Sequence, residues 1–270
     1  MFNRVRNHNQ TDSSDEFDRL VPEFDADLLP TELRELYDSW AQSGQAAALN
    51  AGSVAESDWP VAIYVPERYE ERYAYPLIIW FHSDDTDEDQ LEDVMTAVSS
   101  QNYCGLALRG NHFECQTGGY RWNTADTRFS SVPLQDLLYV TTCRLRQAFH
   151  IHSERIFVAG SGSGADAALH ALVQRPDWFA GAILLDPNGD REMLQAERIE
   201  GLRGKPILQT VSRETKGENL ARNVECVRLL RSAGAEIEVR LNDRVIDPVS
   251  SEARFMDHWI MGQLNRTALV

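Results

Sequence analysis

Five small residues at positions 160–164 carry the clearest chemical signal in this sequence. They read Gly-Ser-Gly-Ser-Gly and join an apolar run, Ile156–Gly160, to a segment of helical periodicity, Ser163–Arg175. A glycine-rich turn in this position brings backbone N–H groups to the start of a helix, where they can bind an anion. Ser161 and Ser163 add two hydroxyl groups, and a hydroxyl becomes a nucleophile when a base takes its proton. The turn therefore indicates nucleophilic or anion-binding chemistry.

The same glycines also satisfy the dinucleotide-binding fingerprint G-x-G-x-x-G/A. Gly160, Gly162 and Ala165 occupy its three positions, and Asp186 ends the next apolar run, 21 residues after Ala165. In a Rossmann unit such an acid binds the ribose hydroxyls while the pyrophosphate lies on the helix N-terminus. That unit usually opens its domain, whereas at least two strand–helix units precede it here. A dinucleotide-binding protein is thus an alternative hypothesis. Apart from this alternative, the sequence predicts no cofactor.

The segments around this turn alternate between strand-like and helix-like patterns. Seven apolar runs have strand length: Val61–Val65, Leu77–His82, Tyr103–Leu108, Ile156–Gly160, Ala182–Asp186, Ile207–Val211 and Ile237–Leu241. Five segments between or after them have one apolar face at helical spacing: Glu88–Ser100, Pro133–His150, Ser163–Arg175, Asn219–Ala233 and Ser250–Leu264. This alternation predicts an α/β domain whose mostly parallel sheet is covered by helices on both faces.

The stretch Arg155–Pro187 resembles the nucleophile elbow of the α/β-hydrolase fold, in the branch of carboxylesterases, phospholipases and polyhydroxybutyrate-depolymerase-like esterases. The likeness extends over about residues 60–265, with Leu77–Ser83 similar to the strand and oxyanion turn that open such domains. The resemblance implies α/β-hydrolase architecture over residues 58–270. Residues 1–57 are then an acidic N-terminal extension, with a tail, a short helix at 30–41 and a linker.

The resemblance also implies where a catalytic triad would lie, and two of its positions lack the required side chain. The elbow motif is Gly-x-Ser-x-Gly, whose apex serine is the nucleophile, but the apex here is Gly162. The histidine position is Ile246, and no histidine occurs between residues 171 and 257. Glu214 is nearest to the usual acid position, and Asp186 stands at the alternative one. Because triad members act as a unit, we predict a catalytically degenerate homologue with a binding or assembly role.

An active serine hydrolase remains an alternative. Ser161 or Ser163 would then be the nucleophile, and His82 or His112 would be the base, contributed by a different loop. Both histidines lie near the carboxyl ends of predicted strands, and these ends are expected at the same edge of the sheet as the elbow. A flanking serine on such a turn points away from the apex direction, however, so it cannot simply replace the apex side chain.

The turn after Leu77–His82 and one long connection complete the candidate site. Ser83 and Asp84 stand where glycines are common in the family, and a carboxylate there opposes a developing oxyanion. The connection 109–131 has 23 residues without periodicity, and it follows the carboxyl end of a strand, where open α/β sheets bind ligands. We therefore predict a ligand site that includes two lid aromatics, lined by Ser83, Ser161, Gly162, Ser163, Tyr120 and Trp122.

The charge of the chain limits its partners. The net charge of −16, from 42 acids and 26 bases, repels phosphate backbones and anionic lipid head groups, so neither nucleic acid nor a membrane is expected as a partner. Residues 1–40 and 84–93 together carry 13 of the 16 excess negative charges, with net charges of −6 and −7. A small molecule or a protein is the expected partner, with the helix at 30–41 as a possible docking element.

The remaining composition predicts a cytoplasmic protein without a bound metal. No apolar run is long enough for a transmembrane helix, and the first 20 residues lack the apolar region of a signal peptide. The four cysteines are far apart, which favours reduced thiols over disulfides in a chain of this kind. No cysteine or histidine pair has the spacing of zinc ligands.

Overall fold

Strands and helices alternate along the computed structural model, which describes residues 59–123, 128–129, 132–189 and 199–267. Their order and bounds follow the sequence pattern closely. The elements are β1 (Val61–Tyr64), β2 (Tyr75–Phe81), α1 (Gln90–Val98), β3 (Cys104–Leu108), β4 (His112–Phe113), β5 (Tyr120–Arg121), β6 (Arg128–Phe129), β7 (Val132–Pro133), α2 (Leu134–Ala148), β8 (Ile151–Ser161), α3 (Ser163–Gln174), β9 (Gly181–Leu185), β10 (Pro206–Ser212), α4 (Gly217–Ser232), β11 (Glu236–Asn242) and α5 (Phe255–Thr267).

Seven of these strands form one sheet in the order β1-β3-β2-β8-β9-β10-β11. Every neighbouring pair is parallel except β1 and β3, which are antiparallel. β2, β3 and β9 are buried at every residue, as strands covered on both faces must be. The predicted mostly parallel sheet is confirmed, and β8, which leads into the glycine turn, lies at its centre.

Helices cover both faces of the sheet, and each face has its own apolar cluster. On one face α2, α3 and α4 contribute buried side chains, including Leu137, Leu138, Leu169, Leu172, Cys226 and Leu230. On the other face α1 and α5 contribute Leu91, Val94, Met95, Met256 and Ile260. The two-sided burial explains the near-continuous apolar strands, because a strand between two helical layers has no solvent-facing side.

Several segments differ from the sequence prediction in detail, and β8 begins at Ile151, five residues before the predicted apolar run. The long connection after β3 contains two short antiparallel hairpins, β4–β5 and β6–β7. Strands of two residues are too short to produce a periodic pattern, which is why the sequence did not reveal them. The last helix begins at Phe255 instead of Ser250, because a 3₁₀ turn at Ser251–Arg254 precedes it and is capped by the Ser250 side chain.

Several predictions concern residues that the structure does not describe. The acidic tail, the helix at 30–41 and the linker lie outside the described ranges and remain predictions. In the described part of the chain, no helix is both long and apolar enough to cross a membrane. No disulfide joins the four cysteines, all of which lie in the described part, and Cys104 and Cys226 are buried in the core.

The turn between β8 and α3 is packed backbone against backbone. A Cβ atom on Gly160 would stand 2.3 Å from the carbonyl oxygen of Gly164. A Cβ atom on Gly164 would stand 2.3 Å from the carbonyl oxygen of Phe81, at the end of β2. Backbone atoms cannot move aside as the end of a flexible side chain can. Both positions therefore require glycine, and together they fix the start of α3 against β2.

We expect Gly164→Ala to lower the free energy of unfolding by about 3 kcal/mol or more, because the added methyl group overlaps the backbone at the end of β2. Urea unfolding followed by circular dichroism measures this loss. The matched control is Gly262→Ala in α5, where no atom lies within 4 Å of the added Cβ. That variant should retain or gain stability, by up to about 1 kcal/mol. Equal stability of the two variants would contradict the packing described here.

Candidate functional site

Gly162 forms the apex of the turn between β8 and α3. Its backbone has φ 60° and ψ −124°, a conformation that side chains of L residues rarely adopt, and its N–H donates to the carbonyl of Leu185 at 3.0 Å. A strand-to-helix turn of this kind lifts the apex above the carboxyl end of the sheet. Because the apex residue is glycine, the space that a side chain would take is open to another residue.

The carboxylate of Asp84 occupies that space. Its Oδ2 atom lies 2.8 Å from the position that a Cβ atom on Gly162 would take. The same oxygen accepts a hydrogen bond from the backbone N–H of Ser163 at 3.3 Å, and Oδ1 accepts one from the Ser163 hydroxyl. The N–H that follows the apex is the group that binds the oxyanion in a hydrolase elbow. Here that group binds a carboxylate of the protein itself.

The loop that carries Asp84 is held by Gln90, the first residue of α1. The Oε1 atom of Gln90 accepts hydrogen bonds from the backbone N–H of Ser83 at 3.0 Å and from Nε1 of Trp80 at 2.9 Å. In hydrolases of this fold, the loop that follows the strand equivalent to β2 supplies the second oxyanion donor. The Ser83 N–H in that loop is therefore already bound. Gln90 was not predicted as a site residue, because a single glutamine at the start of a helix gives no sequence signal.

Trp122 covers Ser163 from the side of the long connection. Its backbone N–H donates to the Ser163 hydroxyl oxygen at 3.0 Å, and its Nε1 donates to the carbonyl of His82 at 3.2 Å. Its ring packs edge-on against Phe81, with ring centroids 4.8 Å apart, and Trp122 is only 6% exposed. Ser163 is 8% exposed. Trp122 was predicted as a lid aromatic, and the structure places it as a packed wall of the site.

Tyr120, the second predicted lid aromatic, lies on the β4–β5 hairpin and is half-buried. Its ring packs against Phe113 and lies under the guanidinium group of Arg109, 4.8 Å from the ring centroid. Arg109 also forms a two-fold hydrogen-bonded ion pair with Glu88, at 2.7 and 2.6 Å. Glu88 is 2% exposed, so the acidic run at 84–93 is not entirely a solvated surface. The sequence did not reveal this pair.

His82, one of the two candidate bases, is completely buried and uses both ring nitrogens. Nε2 accepts a hydrogen bond from the backbone N–H of Gly110 at 2.7 Å. Nδ1 therefore carries the proton and donates to the carbonyl of Ser83 at 2.9 Å. Burial lowers the pKa of His82, and the hydrogen bond to Ser83 opposes that shift. The ring thus links the loop after β2 to the loop after β3. Neither of its nitrogens is hydrogen-bonded to Ser163.

The other candidates, His112 and Ser161, lie on strands of different sheets. His112 is exposed on β4, opposite Arg121 across the hairpin. Ser161 is the last residue of β8, is 6% exposed and pairs with Leu185 of β9. The predicted site residues Ser83, Gly162, Ser163 and Trp122 are brought together around Asp84. Within the described ranges, no three His, Cys, Asp or Glu side chains converge as metal ligands would.

The carboxylate that touches the histidine position of the triad is Asp186, not Glu214. Asp186 has φ 45°, and its two oxygens accept hydrogen bonds from the backbone N–H groups of Ser212 at 2.6 Å and Ile246 at 3.1 Å. Burial raises the pKa of Asp186, and these hydrogen bonds oppose the shift. Ile246 is 5% exposed, whereas Glu214 lies on the surface. Asp186 therefore joins the end of β10 to the loop that follows β11.

These contacts also bear on the dinucleotide-binding hypothesis. That hypothesis needs the Asp186 carboxylate to accept hydrogen bonds from a ribose diol. Both of its oxygens are bound instead to backbone N–H groups of residues 212 and 246. The N–H of Ser163, which would face the pyrophosphate, is bound by Asp84. The fingerprint glycines are present, but the groups that would hold the cofactor have other partners.

We expect a coupling of about 1–2 kcal/mol between Gly162 and Asp84 in a double-mutant cycle of stability. Gly162→Ala places a methyl group 2.8 Å from the Asp84 carboxylate, which must then leave Ser163. In an Asp84→Gly background the methyl group meets open space and only the backbone strain remains. Urea unfolding of the four proteins measures the coupling. Additive effects within about 0.3 kcal/mol would show that the two residues do not meet.

The buried His82 should make the protein less stable in mild acid. Its pKa in the folded state is lowered, so below the ordinary value of 6.5 the unfolded chain binds a proton that the folded chain does not. The free energy of unfolding then falls by up to about 1.4 kcal/mol from pH 7.5 to pH 5.5 on account of this group. Urea unfolding at both pH values should show a smaller difference for His82→Gln. The control is His112→Gln, and an unchanged difference in His82→Gln would contradict the assignment.

Solved esterase structures resemble this architecture. A ferulic acid esterase superposes with a TM-score of 0.60 at 13% identity, covering 76% of this chain and 92% of that one. A carboxylesterase from Bacillus cereus (TM-score 0.57, 18% identity, 77% and 96% covered) and one from Mesorhizobium loti (0.54, 18%, 76% and 95%) are also similar. No protein-family model and no curated protein matches the sequence. The chain has the α/β-hydrolase fold.

Proposed function

We propose that this protein is a catalytically degenerate α/β-hydrolase homologue that acts by binding or assembly and does not hydrolyse esters. One observation carries the proposal: the Asp84 carboxylate lies 2.8 Å from the Cβ position of the apex residue and accepts the N–H of Ser163. The position of the nucleophile and one oxyanion donor are thus taken by a single negatively charged group.

The electrostatic effect of the Asp84 carboxylate on a developing oxyanion supports the proposal, both by its sign and by its size. An oxyanion donor typically stabilises the transition state of acyl transfer by about 3–4 kcal/mol. A carboxylate about 4 Å from a developing oxyanion opposes it by about 4 kcal/mol at the effective dielectric constant of a protein surface. Asp84 therefore reverses the contribution that this position makes in an esterase. The absence of an apex serine and of a histidine at position 246 also lowers the expected rate of ester hydrolysis.

A second candidate function is an active hydrolase with Ser163 as the nucleophile and Asp84 as its base. The hydrogen bond from the Ser163 hydroxyl to Asp84 favours it, because a nucleophile needs an adjacent acceptor for its proton. Two observations weigh against it. Ser163 is 8% exposed, and its oxygen already accepts the Trp122 N–H at 3.0 Å. The oxygen of Ser163 is thus largely buried and already hydrogen-bonded to the chain.

The charge pattern supports the choice of partner. Asp84 and Asp85 are exposed at the elbow, and the whole chain has a net charge of −16. Negative charge at this place and over the whole chain disfavours binding of anionic esters, phospholipid surfaces and nucleic acid. A neutral or cationic small molecule, or a protein that contacts the segment 30–41, which the sequence predicts to be helical, fits better. This partner class and a cytoplasmic location are parts of the same proposal.

The proposal predicts that the purified protein neither reacts with a fluorophosphonate probe nor hydrolyses p-nitrophenyl esters above the rate of buffer. Gel fluorescence after probe labelling and absorbance at a fixed wavelength measure the two activities. Ser163→Ala and Ser161→Ala are the matched variants. Labelling of the wild-type protein that disappears in one of them would overturn the proposal and favour the second candidate. A thermal shift with a nicotinamide dinucleotide would instead support the dinucleotide-binding hypothesis.

A further inference from the structure

The outer edge of β11 is a separate feature that the elbow does not use. β11 pairs with β10 along its whole length, and among the described residues no strand lies on its other side. Charged and apolar residues alternate along it: Glu236, Glu238 and Arg240 share one face, and Ile237, Val239 and Leu241 share the other. Leu241 is 65% exposed, the highest exposure among the large apolar residues described. The Leu241 side chain is therefore available for contact with a partner.

The backbone of β11 shows which residues can pair outward. The N–H of Glu236 donates to the carbonyl of Lys205 at 2.9 Å, and the carbonyl of Asn242 accepts from the N–H of Arg213 at 2.8 Å. Both partners lie on the β10 side of the strand. Because successive residues of a strand direct their backbone groups to opposite sides, the odd-numbered residues 237, 239 and 241 direct theirs outward. This edge can receive another strand.

We propose that the edge pairs antiparallel with β11 of a second copy of this chain, around a twofold axis at Val239. In that register Glu238 lies opposite Arg240 of the second copy, and Ile237 lies opposite Leu241 of the second copy. Opposite charges that face each other across two strands stabilise the pair. Shifting the axis by one residue places Glu238 or Arg240 opposite its own copy, which like charges disfavour. The register centred on Val239 is therefore the one in which no like charges of β11 face each other, and the strand is complementary to a second copy of itself.

An open cleft lies next to the edge of β11, and it shows that this side of the strand is accessible in the described part of the chain. It has a volume of about 390 Å³, lies beside the first half of the strand and is lined by Ala235, Ile237, Glu238 and Trp259, among others. Ile237 packs against the core cluster that includes Ala235. Leu241 of the second copy, opposite Ile237, points to the same face of the sheet as Ile237 and contacts it across the two strands. The twofold axis makes the arrangement mutual, so each exposed leucine contacts an isoleucine of the other copy.

Sedimentation of the full-length chain from 1 to 100 µM tests the proposal, and a reversible dimer is expected. Glu238→Arg and Arg240→Glu should each raise the dimer dissociation constant roughly tenfold or more, because each change places like charges opposite each other twice. The double variant Glu238→Arg/Arg240→Glu restores opposite charges and should restore the dimer. Glu71→Arg reverses a charge in the exposed loop before β2 and is the control, because it should leave the dimer dissociation constant unchanged.

Val239→Pro provides a second test that spares the fold. The N–H that proline removes points outward, so the ladder to β10 keeps its hydrogen bonds while the centre of the pairing is lost. In the wild-type protein, hydrogen exchange should show slow amides at 237, 239 and 241 only at concentrations where the dimer forms. A monomer throughout the range, or a dimer indifferent to the charge reversals, would overturn the proposal. Protection at all concentrations would also overturn it, because a segment of the same chain would then cover the edge.

Discussion

The contact between Asp84 and the first residues of α3 determines what the elbow of this protein can do. The start of a helix presents N–H groups without helical partners and the positive end of the helix dipole. A glycine apex leaves the space in front of these groups open, and the Asp84 carboxylate enters it and binds both polar groups of Ser163. An elbow that would attract an anion from solution thereby receives one from its own chain.

The rest of the site holds this contact in place. Gln90 binds the N–H of Ser83 beside Asp84, His82 ties the same loop to Gly110, and Trp122 covers the Ser163 hydroxyl. The turn itself keeps its shape without an apex side chain, because the contacts that shape it are between backbone atoms at Gly160, Gly164 and the end of β2. The shape of this elbow therefore does not depend on an apex side chain.

The order and type of the sheet strands and long helices could be predicted from the sequence, because burial on both faces leaves apolar runs such as 77–82 and helical stripes such as 163–175. The hairpins after β3 could not, since two-residue strands have no period. At the site, the glycine apex and an unfavourable carboxylate at Asp84 were visible in the sequence. The hydrogen bonds from Gln90 and Trp122, and the turn of Asp186 toward Ile246, depend on contacts between distant residues and were not.

The backbone amide of Ser163 reports most directly on whether Asp84 occupies the oxyanion position. Titration of the wild-type protein and Asp84→Gly with inorganic phosphate, followed by ¹H–¹⁵N NMR, monitors that amide as an anion approaches. We expect the Ser163 resonance to shift with saturation in Asp84→Gly and to stay unchanged in the wild-type protein, because the carboxylate already holds the N–H. An equal shift in both proteins would show that the site is open and would contradict the account.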